Sequence, residues 1–217
     1  MGKKQSDGDE EVLDEVAEIL SHDLENILMT AQSSLELAQR HGGEENFERT
    51  AVILDNAQEL VEDIVTLART GQQISDIAPT DLAAVSHRAW QSVPAPETTL
   101  KRTTDMTIRA DESSLRQLLE NLFRNAIEHG GGVETVRVGS LSDGSTTGFF
   151  VEDNGEGIPQ EDRDRVFDPG YSTSGDERGF GLLIVQRIVE GHQWSISVTN
   201  SDTGGARFEI RGIDPAQ

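Results

Sequence analysis

Two short stretches carry residue types whose spacing suits them to chemistry: Asn121-Leu-Phe-Arg-Asn125-Ala-Ile-Glu-His129 and Asp153-Asn-Gly155-Glu-Gly157-Ile-Pro159. In the first, two carboxamides stand four residues apart, so a helix projects Asn121 and Asn125 from one face and lets them offer oxygens to a hydrated cation. In the second, a carboxylate precedes a glycine turn. Asp153 can accept a hydrogen bond from an exocyclic amine, while Gly155 and Gly157 let backbone approach a ligand closely and take positive φ. Together they suggest a nucleotide site. No Gly-x-x-x-x-Gly-Lys-Ser/Thr stretch occurs, so the phosphates need a cradle other than a P-loop. Residues 173–182 are the candidate, a glycine-bearing stretch running into an apolar helix whose amino end presents free N–H groups and a favourable dipole.

The elements that must position these residues can be read from periodicity. Residues 1–10 are charged and have nothing to bury, which predicts a disordered start. From Val12 to Arg40 apolar residues recur at helical spacing, with Leu13, Val16, Ala17, Leu20, Leu24, Ile27, Ala31, Leu35 and Ala38 in one stripe. His41-Gly42-Gly43 ends that helix, and a second pattern through Phe47, Leu54, Val61 and Ala68 keeps a seven-residue repeat. Two such helices make an antiparallel hairpin over residues 11–70. A lone hairpin cannot cover both stripes, so pairing with a second copy into a four-helix bundle is the economical solution. A homodimer through residues 11–70 is expected.

Residues 71–80 lose the helical period and contain Pro79, which places a linker there. Beyond it, 81–213 reads as one mixed domain, with 214–217 as a tail. Within it, 81–90 reads as a helix, 97–109 as a strand pair, 111–129 as a helix opened by Asp111, and 133–141 and 148–152 as strands. Trp194, Ile196 and Val198 alternate, as do Ala206, Phe208 and Ile210, across a Ser-Asp-Thr-Gly-Gly turn. That is an antiparallel hairpin with one buried face. The sum is an α/β layer domain in which helices cover one face of a largely antiparallel sheet.

Composition excludes several function classes. The 217 residues include no cysteine, so disulfides and thiolate metal sites are absent, and no apolar run is long enough to span a bilayer. There is no signal peptide, which points to the cytoplasm. Forty acidic against 18 basic residues, a formal net charge of -22, would repel nucleic-acid backbone and anionic lipid. Lysine occurs only at Lys3, Lys4 and Lys101. Dense carboxylates with few lysines resemble the proteins of salt-loving archaea, where concentrated salt screens self-repulsion.

The motifs, taken in order, resemble those of sensor histidine kinases, and the resemblance covers nearly the whole chain. Asn121 to His129 is similar to the family's asparagine box, Asp153-x-Gly155-x-Gly157 to its first glycine box, and Arg165-Val-Phe167-Asp-Pro-Gly-Tyr171 to its phenylalanine box. Gly179-Phe180-Gly181-Leu182 resembles its second glycine box, and Leu20-Ser-His22-Asp23-Leu-Glu-Asn26 its phosphoacceptor box. Helical geometry agrees on the last, because His22 points about 180° away from the Leu13, Leu20, Ile27 stripe and so faces solvent. The resemblance implies a dimeric four-helix bundle followed by a two-layer α/β sandwich ATP-binding domain of the histidine kinase, chaperone and topoisomerase type.

By the same resemblance, His22 takes the γ-phosphoryl group of ATP and passes it to an aspartate of a response regulator. A neutral imidazole is a competent nucleophile near neutral pH, and Asp23 would hold its other N–H. Asn26, one turn on, would orient a water for a secondary phosphatase activity. Asp153 would take the adenine amine, Asn125 with Asn121 beside it Mg²⁺, and the Gly179 to Leu182 segment the phosphates, with Gly155 and Gly157 shaping the floor. His129 is expected to pack beside the nucleotide. His41, His87 and His192 are expected to be solvated, and Trp194 and Phe208 to belong to the core.

The chain departs from the family pattern in places. Glu25 and Ile27 stand where Arg and Pro are common, so the helix kink is in question. Glu128 stands where a Lys is often aimed at phosphate, leaving Arg124 or Arg178 to supply positive charge. Glu177-Arg178 replace a leading Gly-x-Gly, which bears on closure over the nucleotide and on rate. Two other classes stay open: an ATPase of the same superfamily, in which a Glu normally stands where Asn121 does, and a dimeric adaptor without phosphotransfer.

Overall fold

The computed structural model describes residues 76–143, 146–168 and 180–214, with 142, 143 and 146 by backbone alone, together with Ile74, Tyr171 and helical positions scattered between Met29 and Val61. His22, Asp23, Asn26, His41 and Gly179 lie outside the described residues. The chain divides into two units, Met1–Ala68 and Arg69–Gln217. In the first, Met29, Thr30, Gln32, Ser33, Leu35, Glu36, Ala51, Leu54, Ala57 and Val61 are helical. Of the apolar positions that the repeats single out there, Ala57 is buried while Leu35, Leu54 and Val61 are 41%, 48% and 45% exposed.

The second unit is built from β1 (Ala78–Asp81), α1 (Leu82–Gln91), β2 (Thr99–Thr103), β3 (Thr107–Ala110), α2 (Glu112–His129), β4 (Thr135–Asp143), β5 (Thr146–Asp153), α3 (Gly181–Gly191), β6 (Ser195–Asn200) and β7 (Ala206–Arg211). Its main sheet has five strands in the order β2-β4-β5-β7-β6. β2 runs parallel to β4, and every other pairing is antiparallel. β1 and β3 form a separate two-stranded sheet. Residues 78–81, at the end of the expected linker, are therefore a strand, and Pro79 is tolerated because that ribbon has only one partner.

The expected strand pair over 97–109 needs correction. Both strands exist, but they separate into different sheets. β2 is held on β4 by the Thr99 N–H to Glu134 O at 2.9 Å and by the hydroxyls of Thr98 and Thr103 on the Val133 and Val138 carbonyls at 2.7 and 3.2 Å. β3 turns inward instead, burying Ile108 and Ala110. Alternation marks a strand but not its partner, and here the partner lies more than thirty residues away.

α1 and α2 start where short acids cap them. Asp81 accepts from the Ala84 N–H at 3.1 Å, and Asp111 from the Ser114 N–H at 2.9 Å. All three helices lie against one face of the sheet. Alternate residues of the strands, Val136 and Val138, Phe149 and Val151, Phe208 and Ile210, meet Leu115, Leu118, Leu122, Ile184 and Ile188 in the core. Each such side chain contributes about 1.5–3 kcal/mol by leaving water, so this layer dominates the stability of the unit. Trp90 packs edge-on to Phe123, 5.3 Å between centroids. Phe208 is core as expected; Trp194 is half-buried, stacked on His192 at 4.1 Å.

His192 is not solvated. It is 8% exposed, with Nδ1 on the Ile188 carbonyl at 2.8 Å and Nε2 accepting the Asp111 N–H at 3.1 Å. A histidine just past a helix end looks solvated in sequence, but this ring bridges the end of α3 to the start of α2 and satisfies an otherwise orphan N–H.

Candidate functional site

α2 presents both asparagines, but in different states. Asn121 is 9% exposed and its amide donates to the Gln117 carbonyl, one turn back, at 3.0 Å. Its oxygen faces the start of α3: a Cβ added to Gly181 would lie 3.0 Å from Asn121 Oδ1. Asn125 is half-buried, and among the described residues its carboxamide has no hydrogen-bond partner. Asn121 is thus bonded within its own helix with its oxygen beside the start of α3, whereas Asn125 has no hydrogen-bond partner among the described residues. His129 is exposed at the end of α2, where the Gly130 N–H closes the helix on the Ala126 carbonyl at 3.1 Å.

Asp153 ends β5 on the helix side of the sheet and is 5% exposed. Its Oδ1 accepts two backbone N–H groups, from Gly155 at 2.8 Å and from Ala206 at 3.2 Å. Its Oδ2 has no partner among the described residues. Burial pushes its pKa above the ordinary carboxylate value, the two N–H bonds oppose this, and the neighbouring Glu152 charge adds to the rise. The result is a carboxyl fixed by one oxygen and open at the other, which suits a donor such as an exocyclic amine.

Glycines let the surrounding backbone close on this group. A Cβ on Gly155 would sit 2.1 Å from Gly130 O, the carbonyl that accepts the Glu156 N–H at 2.8 Å. Gly157 has φ +78° and lies against the Gly204 carbonyl. The glycine turn after β5 is thus wedged between the end of α2 and the β6–β7 turn. α3 starts differently from the other helices. Its cap, Phe180, is fully buried and supplies no side-chain hydrogen bond, so the first N–H groups, including those of Gly181 and Leu182, lack a side-chain cap. Such an end suits an anion.

Several residues of this arrangement escape the sequence reading. Gly205 is the sharpest: a Cβ there would lie 2.1 Å from Asp153 Oδ1, yet in sequence Gly204-Gly205 signals only a turn. Ala206 contributes its backbone alone. The Asn154 side chain accepts from Glu134 N at 3.0 Å and Thr135 N at 2.9 Å, pinning the strand that follows α2. Arg163 bonds the Ile158 carbonyl at 3.2 Å and the Asn200 side chain, joining the stretch after the glycine turn to β6. In that stretch Val166 is buried, and the Arg165 guanidinium lies 5.3 Å from the Tyr171 ring centroid. Asn154, inside the Asp153 to Pro159 motif, was the one with a local signal, since a short amide in a glycine turn often bonds nearby backbone.

Residues 110–215 match the family described as histidine kinase-, DNA gyrase B- and HSP90-like ATPases. A sensor histidine kinase, ZraS of Escherichia coli O157:H7, is 35% identical over 103 residues, 48% of this chain and 22% of that relative. The chain therefore spans about a fifth of the length of such relatives. The ATP-binding domain of PrrB from Mycobacterium tuberculosis is 27% identical, with TM-score 0.55, over 65% of this chain and all of that one. A complex of the histidine kinase ThkA with the response regulator TrrA shares the fold, with TM-score 0.74 at 17% identity over 95% of this chain and 63% of that one.

Proposed function

We propose, on the premise that residues 110–215 are an ATP-binding domain of the histidine kinase type, that the chain is the catalytic core of a two-component sensor histidine kinase. In this reading residues 11–70 form the dimerising, phosphate-accepting hairpin, 71–80 connect, and 81–213 bind ATP. The exposed Leu35, Leu54 and Val61 support the dimer, because an apolar stripe left open in one copy is what a second copy would cover.

The observation that carries the nucleotide assignment is the half-satisfied carboxyl of Asp153. Its open Oδ2 accepts the adenine amine while Gly155 and Ala206 hold Oδ1 still. Gly155 and Gly157 shape the floor. The start of α3, Gly181 and Leu182 behind the Phe180 cap, takes the phosphates with its N–H groups and dipole, and Gly179, outside the described residues, is assigned to the same segment from the sequence. The free carboxamide of Asn125 fits a hard cation, with Asn121 Oδ1 beside it, and Mg²⁺ bound there supplies charge neutralisation for the triphosphate. His129, exposed at the end of α2, borders the site.

The transfer itself falls to His22. Its unprotonated ring nitrogen forms a bond to the γ-phosphorus as the bond to the β–γ bridging oxygen breaks, ADP leaves, and Asp23 holds the other N–H and stabilises the ring's developing charge. The phosphoryl group then moves to an aspartate of a response regulator, and Asn26 positions a water for the separate hydrolysis of that acyl phosphate, which releases inorganic phosphate and restores the carboxylate. Among the described residues no helix is long and apolar enough to cross a membrane. The test is incubation of the full chain with γ-labelled ATP. Acid-labile, base-stable label that is lost in His22→Gln and in Asp153→Asn is expected. Free phosphate without protein label would sink the kinase reading in favour of an ATPase, and nucleotide binding with neither would leave an adaptor.

A further inference from the structure

The sheet face turned away from the helices carries a charge network that the proposed reaction does not use. Register sets Arg137 on β4 and Arg207 on β7 on either side of Glu152 on β5. Glu152, 4% exposed, pairs with both: with Arg137, and with Arg207 at 2.5 Å. Arg207 Nε reaches Glu209 at 2.8 Å, and Glu209 reaches Arg211 at 2.9 Å. The Phe150 ring underlies both guanidinium groups, 3.7 Å from Arg207 and 5.3 Å from Arg137, and fits because Gly139 opposite has no side chain. Half-burying several charges is costly, and apolar residues of similar size often serve as well or better.

Placement explains the expense. Glu152 and Asp153 are successive residues of one strand, so their side chains leave opposite faces of the same point in the sheet. Arg207, which holds Glu152, directly follows Ala206, whose N–H holds Asp153. We propose that Arg207 is a positioning residue for Asp153, neutralising Glu152 from behind the sheet and locking the β5–β7 register that sets the Ala206 N–H on Oδ1. This rests on the nucleotide reading of Asp153 above. Burial already works against its ionised form, and an uncompensated Glu152 charge adds to that. The other charged groups on elements packed around it are Glu209 on β7, Glu156 on the exposed turn, Arg163 beside β6, and Arg124, Glu128 and His129 on α2; the Ser201 and Thr203 hydroxyls of the β6–β7 turn are neutral, with Thr203 on the Asp153 carbonyl at 3.4 Å.

The measurement is ATP affinity of the full chain at fixed ionic strength, from about pH 8 downward through its acid limb. Binding weakens on the acid side as Asp153 protonates, and the ligand's own titration is common to all variants. Arg207→Met leaves Glu152 paired with Arg137 but removes one compensating charge, so the midpoint moves up by about half a unit or more. Glu152→Gln removes the repelling charge, so the midpoint moves down by about as much. Arg207→Lys keeps the charge and restores the native midpoint. Arg137→Gln, at a more exposed site, moves it up and stands in if Arg207→Met does not fold.

A purely structural network predicts one sign for both members of the pair, which is what thermal unfolding of Arg207→Met and Glu152→Gln will show. Opposite shifts of the binding midpoint support the proposal; shifts of the same sign, or none, overturn it. Failure of the native chain to bind ATP at any pH overturns the nucleotide reading and this inference with it, an outcome distinct from native binding with unmoved midpoints.

Discussion

Asp111 and Asp153 are two aspartates given similar partners and opposite tasks. Asp111 opens α2, its Oδ1 accepting from the Ser113 hydroxyl at 2.6 Å and the Ser114 N–H at 2.9 Å. Asp153 closes β5, its Oδ1 accepting two backbone N–H groups. Burial works to raise both pKa values. At Asp111 it is outweighed by Ser113, Ser114 and the His192 charge, so its pKa falls; at Asp153 burial wins and the pKa rises. An aspartate whose folded pKa is depressed stabilises the fold above its unfolded value. One whose pKa is raised costs stability as soon as pH exceeds its unfolded value, here near 3.8. The first caps a helix, and the second keeps one oxygen without a partner among the described residues, the oxygen that we propose a ligand meets.

The starts of α2 and α3 repeat the contrast. α2 has a capping carboxylate and a histidine acceptor for its first N–H groups, whereas α3 begins at a buried phenylalanine that caps nothing. Where this domain builds, it satisfies its donors locally. The start of α3, where we propose that the phosphates bind, has no side-chain cap.

The largest effect that would break the comparison is expected at Asp153. Asp153→Asn keeps an oxygen for the Gly155 and Ala206 N–H groups but turns the open acceptor into a donor. ATP affinity should fall by about 100-fold, about 2.7 kcal/mol, measured by titration calorimetry, while thermal stability holds or rises because a buried charge is gone. A drop in stability with unchanged affinity would reverse the roles assigned to the two aspartates.

Next comes Gly205, the position where the open carboxyl depends on a missing side chain. Gly205→Ala places a methyl 2.1 Å from Asp153 Oδ1 and 2.4 Å from its carbonyl oxygen. Overpacking of that kind costs about 1–3 kcal/mol, read by chemical denaturation, and ATP affinity should fall with it because the carboxyl must move. Asp111→Ala follows, with a loss of about 1 kcal/mol for the missing cap and affinity for ATP close to native once folding is complete.

How much of this was legible in sequence follows the range of each interaction. Asp111 as a cap, the helix carrying Asn121 and Asn125, and the β6–β7 hairpin rest on local spacing and stand as read; in the Asp153 turn Gly157 takes the expected positive φ, but Gly155 does not and is required instead by the close approach of the Gly130 carbonyl. What stayed hidden depends on residues far apart in the chain. β2 and β3 look like a pair because they are adjacent, but β2 finds β4 through threonine hydroxyls that alternation does not encode. Gly205 becomes part of the site only when β7 pairs with β5, fifty residues upstream of it. Asn121 and Asn125 look equivalent until the fold brings Gly181 against one of them.

His192 gives the smallest and most specific test, because it ties the structural aspartate to the end of α3. Its Nε2 accepts the Asp111 N–H, so Nδ1 carries the proton and donates to the Ile188 carbonyl; a second proton on Nε2 would set donor against donor. Burial lowers its pKa below the usual 6.5, against the pull of the Ile188 carbonyl and the Asp111 charge. The unfolded chain therefore takes up a proton on this ring at higher pH than the folded one. Stability held at neutral pH is lost as pH falls below about 6.5 toward the lower folded value. Asp111, with a depressed pKa, adds a further loss only at more acid pH, as it protonates in the fold. His192→Gln keeps a side chain able to accept the Asp111 N–H but cannot titrate. Denaturant midpoints from pH 7 downward should therefore fall for the native chain before they fall for the variant, with the first divergence just below about pH 6.5. Parallel curves would mean that folding leaves the ring's affinity for protons unchanged, and a native curve that rises relative to the variant as pH falls would mean that the bridge from α3 to α2 is made by a charged ring and not by an accepted hydrogen bond.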